Sequence, residues 1–184
     1  MAVRPNEGSR HADKIQFKMR RQPVLKQTAS GEIYTDESTM QRACVRWFRI
    51  KFDPMGFSLF SIPNGGKLGG RTSKKGFSIQ AAIMVGEGMT AGVADLFLSL
   101  PRCGLHGLYI EMKTPVGVWE KTQQQFAIRQ IDNGYGYVLC RSQNYFEKVV
   151  QDYLSGQYVQ LPFDEIESNK PKGRRRISQS VVAV

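Results

Sequence analysis

Hydrophobic positions change their period several times along this chain. Residues 36–52 place Met40, Ala43, Cys44, Trp47 and Phe48 on one stripe, which predicts an amphipathic helix ending before Pro54. Residues 57–62 read as a strand, and Ile79, Ala82, Ile83 and Met84 suggest a short helix over 77–86. Gly86, Gly88 and Gly92 then punctuate the approach to an apolar strand at 93–100. Pro101 and Gly104 mark a hairpin turn, and a second strand follows at 108–113. Gln124, Ala127, Ile128 and Ile131 give a helix over 119–132, with Gly134 as its C-terminal glycine. A strand at 135–140 and an amphipathic helix at 144–154 complete the pattern. The expected fold is α/β: a central mixed sheet flanked by helices, in the order helix, three strands, helix, strand, helix.

Flanking this region, residues 1–30 are polar and aperiodic and read as a mobile basic arm. Residues 164–184 read as a basic C-terminal tail, so one folded domain is expected over 31–163. The formal net charge of +10 points to a polyanionic partner. The first 30 residues carry +5, the last 21 carry +2 and the middle only +3, so the charge sits mainly on the tails. Clustered Lys and Arg release counterions on binding phosphates, although a solvated, solubilising tail has the same composition. No apolar run suits a membrane span and no apolar leader follows the N-terminal basic residues, so a cytoplasmic protein is expected. Cys44, Cys103 and Cys140 form no CxxC pair, which argues against structural zinc and for reduced thiols.

Chemistry concentrates at Ile110-Glu111-Met112-Lys113. On a strand Glu111 and Lys113 share a face, while apolar surroundings make that strand central. A buried carboxylate–ammonium pair seldom recovers its desolvation cost, and a hard cation would change the balance. Asp95 opens the strand expected to hairpin onto this one, so both carboxylates could share one Mg²⁺ with the Met112 backbone carbonyl. Lys113 would then orient the attacking water or offset charge on the phosphate. Glu37 falls on the inward stripe of the first helix, where an acid needs a positive partner. Gln41 lies one turn further along, and Gln123 one turn before Ala127, so these side chains could converge on the metal and the DNA backbone, with Gln41 as a DNA contact. Asp-x(n)-Glu-x-Lys alone is a weak signal, since a surface ion pair has the same spacing.

Several ordered motifs together resemble the virus-type replication-repair nuclease (VRR-NUC) family of the PD-(D/E)XK, restriction-endonuclease-like superfamily. They are Glu37 with Gln41, Pro63-Asn64, Gly88-x3-Gly92-x2-Asp95, Ile110-Glu111-Met112-Lys113, Gly117 leading to Gln123, and Gly134-Tyr135. The resemblance implies an αβββαβ core and metal-dependent hydrolysis of DNA, with Mg²⁺ or Mn²⁺. It makes Glu37, Asp95 and Glu111 metal ligands, Lys113 catalytic and Gln123 an active-site helper. Glu120 stands where the family often has a helix-capping serine. Stand-alone members, often phage-encoded, resemble homodimeric enzymes that cut four-way (Holliday) junctions. A homodimer acting on branched DNA is therefore expected, with a nickase, flap nuclease or exonuclease as the alternative. A basic nucleic-acid binder without catalysis would explain the charge but not the inward acids.

Other DNA contacts are expected from Asn64, Lys67, Arg71, Lys74 and Lys75 in a Gly-rich loop, and from Arg174, Arg175 and Arg176 in the tail. Trp119, next to the candidate site, could touch DNA or pack inside. His106 reads as a turn or edge residue, with general base as the sharper alternative.

Overall fold

The structure is a computed structural model that describes residues 23–63 and 79–168. Two short strands, β1 (Lys26–Gln27) and β2 (Ile33–Tyr34), pair antiparallel ahead of the first helix. The stretch expected to be a loose arm thus ends in a hairpin, closed by Gly31 at φ +89°.

Helix α1 (Glu37–Lys51) starts where Asp36 Oδ1 accepts the Thr39 amide at 2.9 Å. The Thr39 amide and hydroxyl hold the Asp36 carboxyl below its ordinary range. Met40, Cys44 and Phe48, spaced by four, form its buried face. Pro54 cannot extend the α-helix, and the chain tightens into a 3₁₀ segment over Asp53–Ser58. Strand β3 (Leu59–Ser61) therefore begins two residues later than the hydrophobic pattern predicts, and Phe57 is left 99% exposed.

After α2 (Ile79–Gly86) come β4 (Leu96–Leu98), β5 (Leu108–Met112), α3 (Lys121–Asp132), β6 (Gly136–Cys140) and α4 (Gln143–Leu154). The sheet order is β3-β4-β5-β6, antiparallel except for the parallel β5–β6 pair that α3 connects. Alternation along β5 sorts two cores. Leu108, Ile110 and Met112 face α1 and α4, whereas Tyr109 faces the side packed by α3, with Trp119, Ala127, Tyr137 and Leu139. Gly134, at φ +80°, ends α3 as the sequence predicts.

The packed chain runs past residue 163, where a loose tail is expected. Helix α5 (Phe163–Ser168) seats Ile166 in the second core, only 4% exposed, and Phe163 lies against Trp119. Ahead of it, the Gln160 side chain imitates a neighbouring strand. Its Oε1 accepts the Tyr137 amide at 2.7 Å and its Nε2 donates to the Tyr137 carbonyl at 3.1 Å, which covers the open edge of β6. No helix among the described residues is long and apolar enough to cross a membrane. Cys44, Cys103 and Cys140 are all free thiols. Burial pushes the Cys44 thiol up to about 12, which keeps it protonated and unreactive.

Candidate active site

Leu96 pairs with Ile110, so the antiparallel register sets Asp95 opposite Glu111. Residues opposed in this way have Cβ atoms about 5 Å apart on one face. At this point β4 peels away from the ladder. The Lys113 amide bonds the Cys140 carbonyl at 2.9 Å, which turns the Met112 amide toward β4. There it donates to Asp95 Oδ2, at 2.9 Å, in place of a backbone carbonyl. The Met112 carbonyl leaves the same edge of the strand, toward Asp95.

Glu111 is fully buried on the α3 side of the sheet. Its Oε1 accepts from Lys113 Nζ at 2.6 Å and from Gln123 Nε2. Its Oε2, also buried, has no hydrogen-bond partner among the described residues. Gln123 performs two tasks, because its Oε1 accepts the Glu120 amide at 3.0 Å and closes the first turn of α3. Glu120 is the N-cap of α3, so the helix begins without the serine common in the resembling family. Gly92 permits this convergence: with φ at +87°, a Cβ there would lie 2.5 Å from the Thr122 carbonyl oxygen. Only glycine lets the approach to Asp95 pass so close to the start of α3.

Burial, then the neighbouring Asp95 carboxylate, pushes the Glu111 carboxyl up to about 7 despite the opposing ammonium of Lys113. Burial alone would lower Lys113, but Glu111, Glu37 and Asp95 together hold it above its usual value. The cluster therefore has more negative charge than its one buried ammonium offsets.

Glu37, half-buried at the start of α1, reaches the same end of β5. Its Oε1 accepts the Thr114 amide at 3.1 Å, and a Cβ on Gly117 would crowd it at 2.9 Å. Arg141, directly after β6, holds this loop from the other side. Its Nη1 donates to the carbonyls of Thr114 and Gly117 at 2.8 and 2.9 Å. Its buried Nε and Nη2 have no partner among the described residues. Burial lowers the Arg141 pKa and Glu37 opposes the shift. Arg141 is not among the residues that the sequence pattern singles out. The available signal was a lone arginine immediately after a five-residue strand of glycine and apolar side chains.

The sequence-predicted residues are thus only partly assembled. Asp95, Glu111, Lys113 and Gln123 meet, and Glu37 borders them. Among the described residues, however, no three Asp, Glu, His or Cys side chains are grouped closely enough to hold an ion. A smaller donor set does fit a hard cation. Mg²⁺ commonly takes one or two carboxylates and keeps waters or phosphate oxygens in its other positions. Asp95, the unpartnered Glu111 Oε2 and the Met112 carbonyl match that habit.

Gln41 lines a groove beside α1. Trp119 is 2% exposed and stacks on Tyr137 with centroids 5.9 Å apart, so this indole packs inside rather than against DNA. His106 sits at the far end of β5, its amide bonded to the Gly134 carbonyl and its ring edge-on to Tyr135. Asn64, Lys67, Arg71, Lys74, Lys75, Arg174, Arg175 and Arg176 lie outside the described residues.

The fold is a mixed sheet flanked by helices, broadly consistent with a restriction-endonuclease-like fold. More particularly, it is similar to a solved structure described as a VRR_NUC domain protein. The TM-score is 0.53 at 22% identity, over 65% of this chain and 88% of that one. At that identity the likeness concerns the fold. No protein-family model matches the chain, and no curated protein does.

Proposed function

We propose that this protein is a Mg²⁺- or Mn²⁺-dependent deoxyribonuclease that hydrolyses phosphodiester bonds, and that its substrate is branched DNA. The observation that carries the reading is the fully buried Glu111, with one oxygen on Lys113, the other unpartnered among the described residues, and Asp95 opposite. A structural ion pair leaves no reason for a second carboxylate to face the first across a sheet.

Asp95, Glu111 and the Met112 carbonyl would hold the cation, with Glu37 as a further acid at the rim. When bound, the cation supplies Lewis-acid polarisation of the phosphate and an acidified water. Lys113 places its ammonium where negative charge grows on the phosphate and orients the attacking oxygen. Gln123 keeps Glu111 turned toward Asp95. Lys67, Arg71, Lys74, Lys75 and Arg174 to Arg176, with Asn64, would contact the DNA backbone. For a four-way junction, two symmetric cuts call for two sites related by a two-fold axis, hence a homodimer.

The test is incubation of labelled four-way junction, flap, single-stranded and linear duplex DNA with Mg²⁺, Mn²⁺ or EDTA. Cleavage should need the cation and fall about a hundredfold or more in Lys113→Ala. Paired symmetric cuts on the junction support the resolvase; cuts at flaps, nicks or free ends assign a different nuclease of this fold. Binding with no cleavage under any metal leaves a non-catalytic DNA-binding protein and refutes the proposal.

A further inference from the structure

Helix α1 carries three arginines that the candidate site does not use. Arg42, Arg46 and Arg49 repeat at the four- and three-residue spacing that puts them on one side of the helix, and all three are exposed. With Gln41, Val45, Ile50 and Ser61 they line an open groove of about 490 Å³. Among the described residues none of the three is in an ion pair. Arg42 is steadied by Ser38 Oγ at 2.8 Å and Thr39 Oγ1 at 3.0 Å, both neutral partners. Arg42 also acts on the Asp36 carboxylate beyond Thr39, but no acid is among the residues that line the groove, so its three guanidinium groups leave it strongly positive.

We propose that this groove is a track for the phosphate backbone of the DNA arm leaving the cleavage site. Arg42 and Arg49 are seven residues apart, about 10 Å along the helix axis. That matches the axial span of about three nucleotides of one duplex strand. Guanidinium forks suit phosphate oxygens, and Val45 and Ile50 supply an apolar floor for the sugars. The groove begins at Gln41, one turn beyond Glu37, so a strand seated in it runs directly from the acidic cluster. The identity of the anion as DNA rests on the nuclease reading; the groove and its charge do not.

The experiment measures binding of the full chain to a short duplex and to a four-way junction across a salt series, with EDTA so that nothing is cut. Arg42→Gln/Arg46→Gln/Arg49→Gln should lower the slope of log K against log [salt] by about 2.7, if each arginine meets one phosphate. From about 50 to 200 mM salt the variant should then lose roughly 40-fold less affinity than the wild type. Arg46→Gln alone, at a position with no side-chain bond to lose among the described residues, should lower the slope by about 0.9 and stands in if the triple variant fails to fold. Arg129→Gln, on the opposite side of the sheet, should change nothing. A wild-type slope in the variants overturns the proposal, as does an equal fall in Arg129→Gln, which would reduce the effect to net charge. An unchanged DNA slope with weakened binding to poly-glutamate would assign the face to an acidic protein and also overturn it. A wild type that binds with the expected slope yet never cuts would refute the nuclease reading and leave this track standing.

Discussion

Replacing Glu111 by Gln removes one buried charge and leaves its shape nearly unchanged. The Gln side-chain oxygen can still accept from Lys113 and Gln123, as Glu111 Oε1 does. In the folded wild type this carboxyl titrates at about 7 against an ordinary 4.5, first because it is buried and then because Asp95 faces it. A carboxyl with a raised folded pKa binds its proton more tightly when folded than unfolded. Its favourable contribution is complete below about 4.5 and is lost as pH rises through about 7. Two and a half pH units correspond to about 3.4 kcal/mol, of which about 2.5 kcal/mol falls between roughly pH 5 and pH 8. Urea denaturation of both proteins across that range, without divalent ions, reads this, because titrations that are not coupled to Glu111 cancel in the difference. Wild-type stability should fall by about 2.5 kcal/mol relative to Glu111→Gln. Saturating Mg²⁺ should remove most of that fall in the wild type, since a cation favours the ionised carboxylate, and should leave the variant unmoved. Parallel pH profiles for the two proteins would refute the burial argument and with it the acidic cluster.

Asp95→Asn keeps an acceptor for the Met112 amide but removes the charge that helps to raise Glu111. The Glu111 carboxyl should then titrate lower by NMR and Mg²⁺ should bind more weakly; an unmoved titration would separate the two acids. Gly92→Ala should cost about 1–3 kcal/mol or more, because it meets a positive φ and the Thr122 carbonyl together. Its denaturation midpoint measures this, and a wild-type midpoint would show that the approach to α3 is not tight. Arg141→Gln loses the charged bonds to the Thr114 and Gly117 carbonyls. Amide exchange at residues 114–118 should quicken by about tenfold or more, as one charged bond worth about 1.5–3 kcal/mol implies, and unchanged exchange would place the hold on that loop elsewhere.

Element types were legible because they depend on local periodicity. The stripe Met40–Cys44–Phe48 defined α1, alternation defined β5, and Gly134 marked the end of α3. The same alternation put Glu111 and Lys113 on one face, and the hairpin brought Asp95 opposite them. Between elements local periodicity carries no such information. Strand β3 is shorter than its apolar run because the 3₁₀ segment that contains Pro54 consumes two of its residues. Trp119 is buried because Tyr137 and Phe163 cover it, and Phe163 belongs to a segment whose burial no local period reveals. Gln123 serves both a helix cap and a carboxylate, and Arg141 clamps a loop more than twenty residues earlier in the chain. Local chemistry determines which face a side chain takes. Only packing of distant segments decides which polar atoms find partners, and here it left one oxygen of Glu111 without any among the described residues.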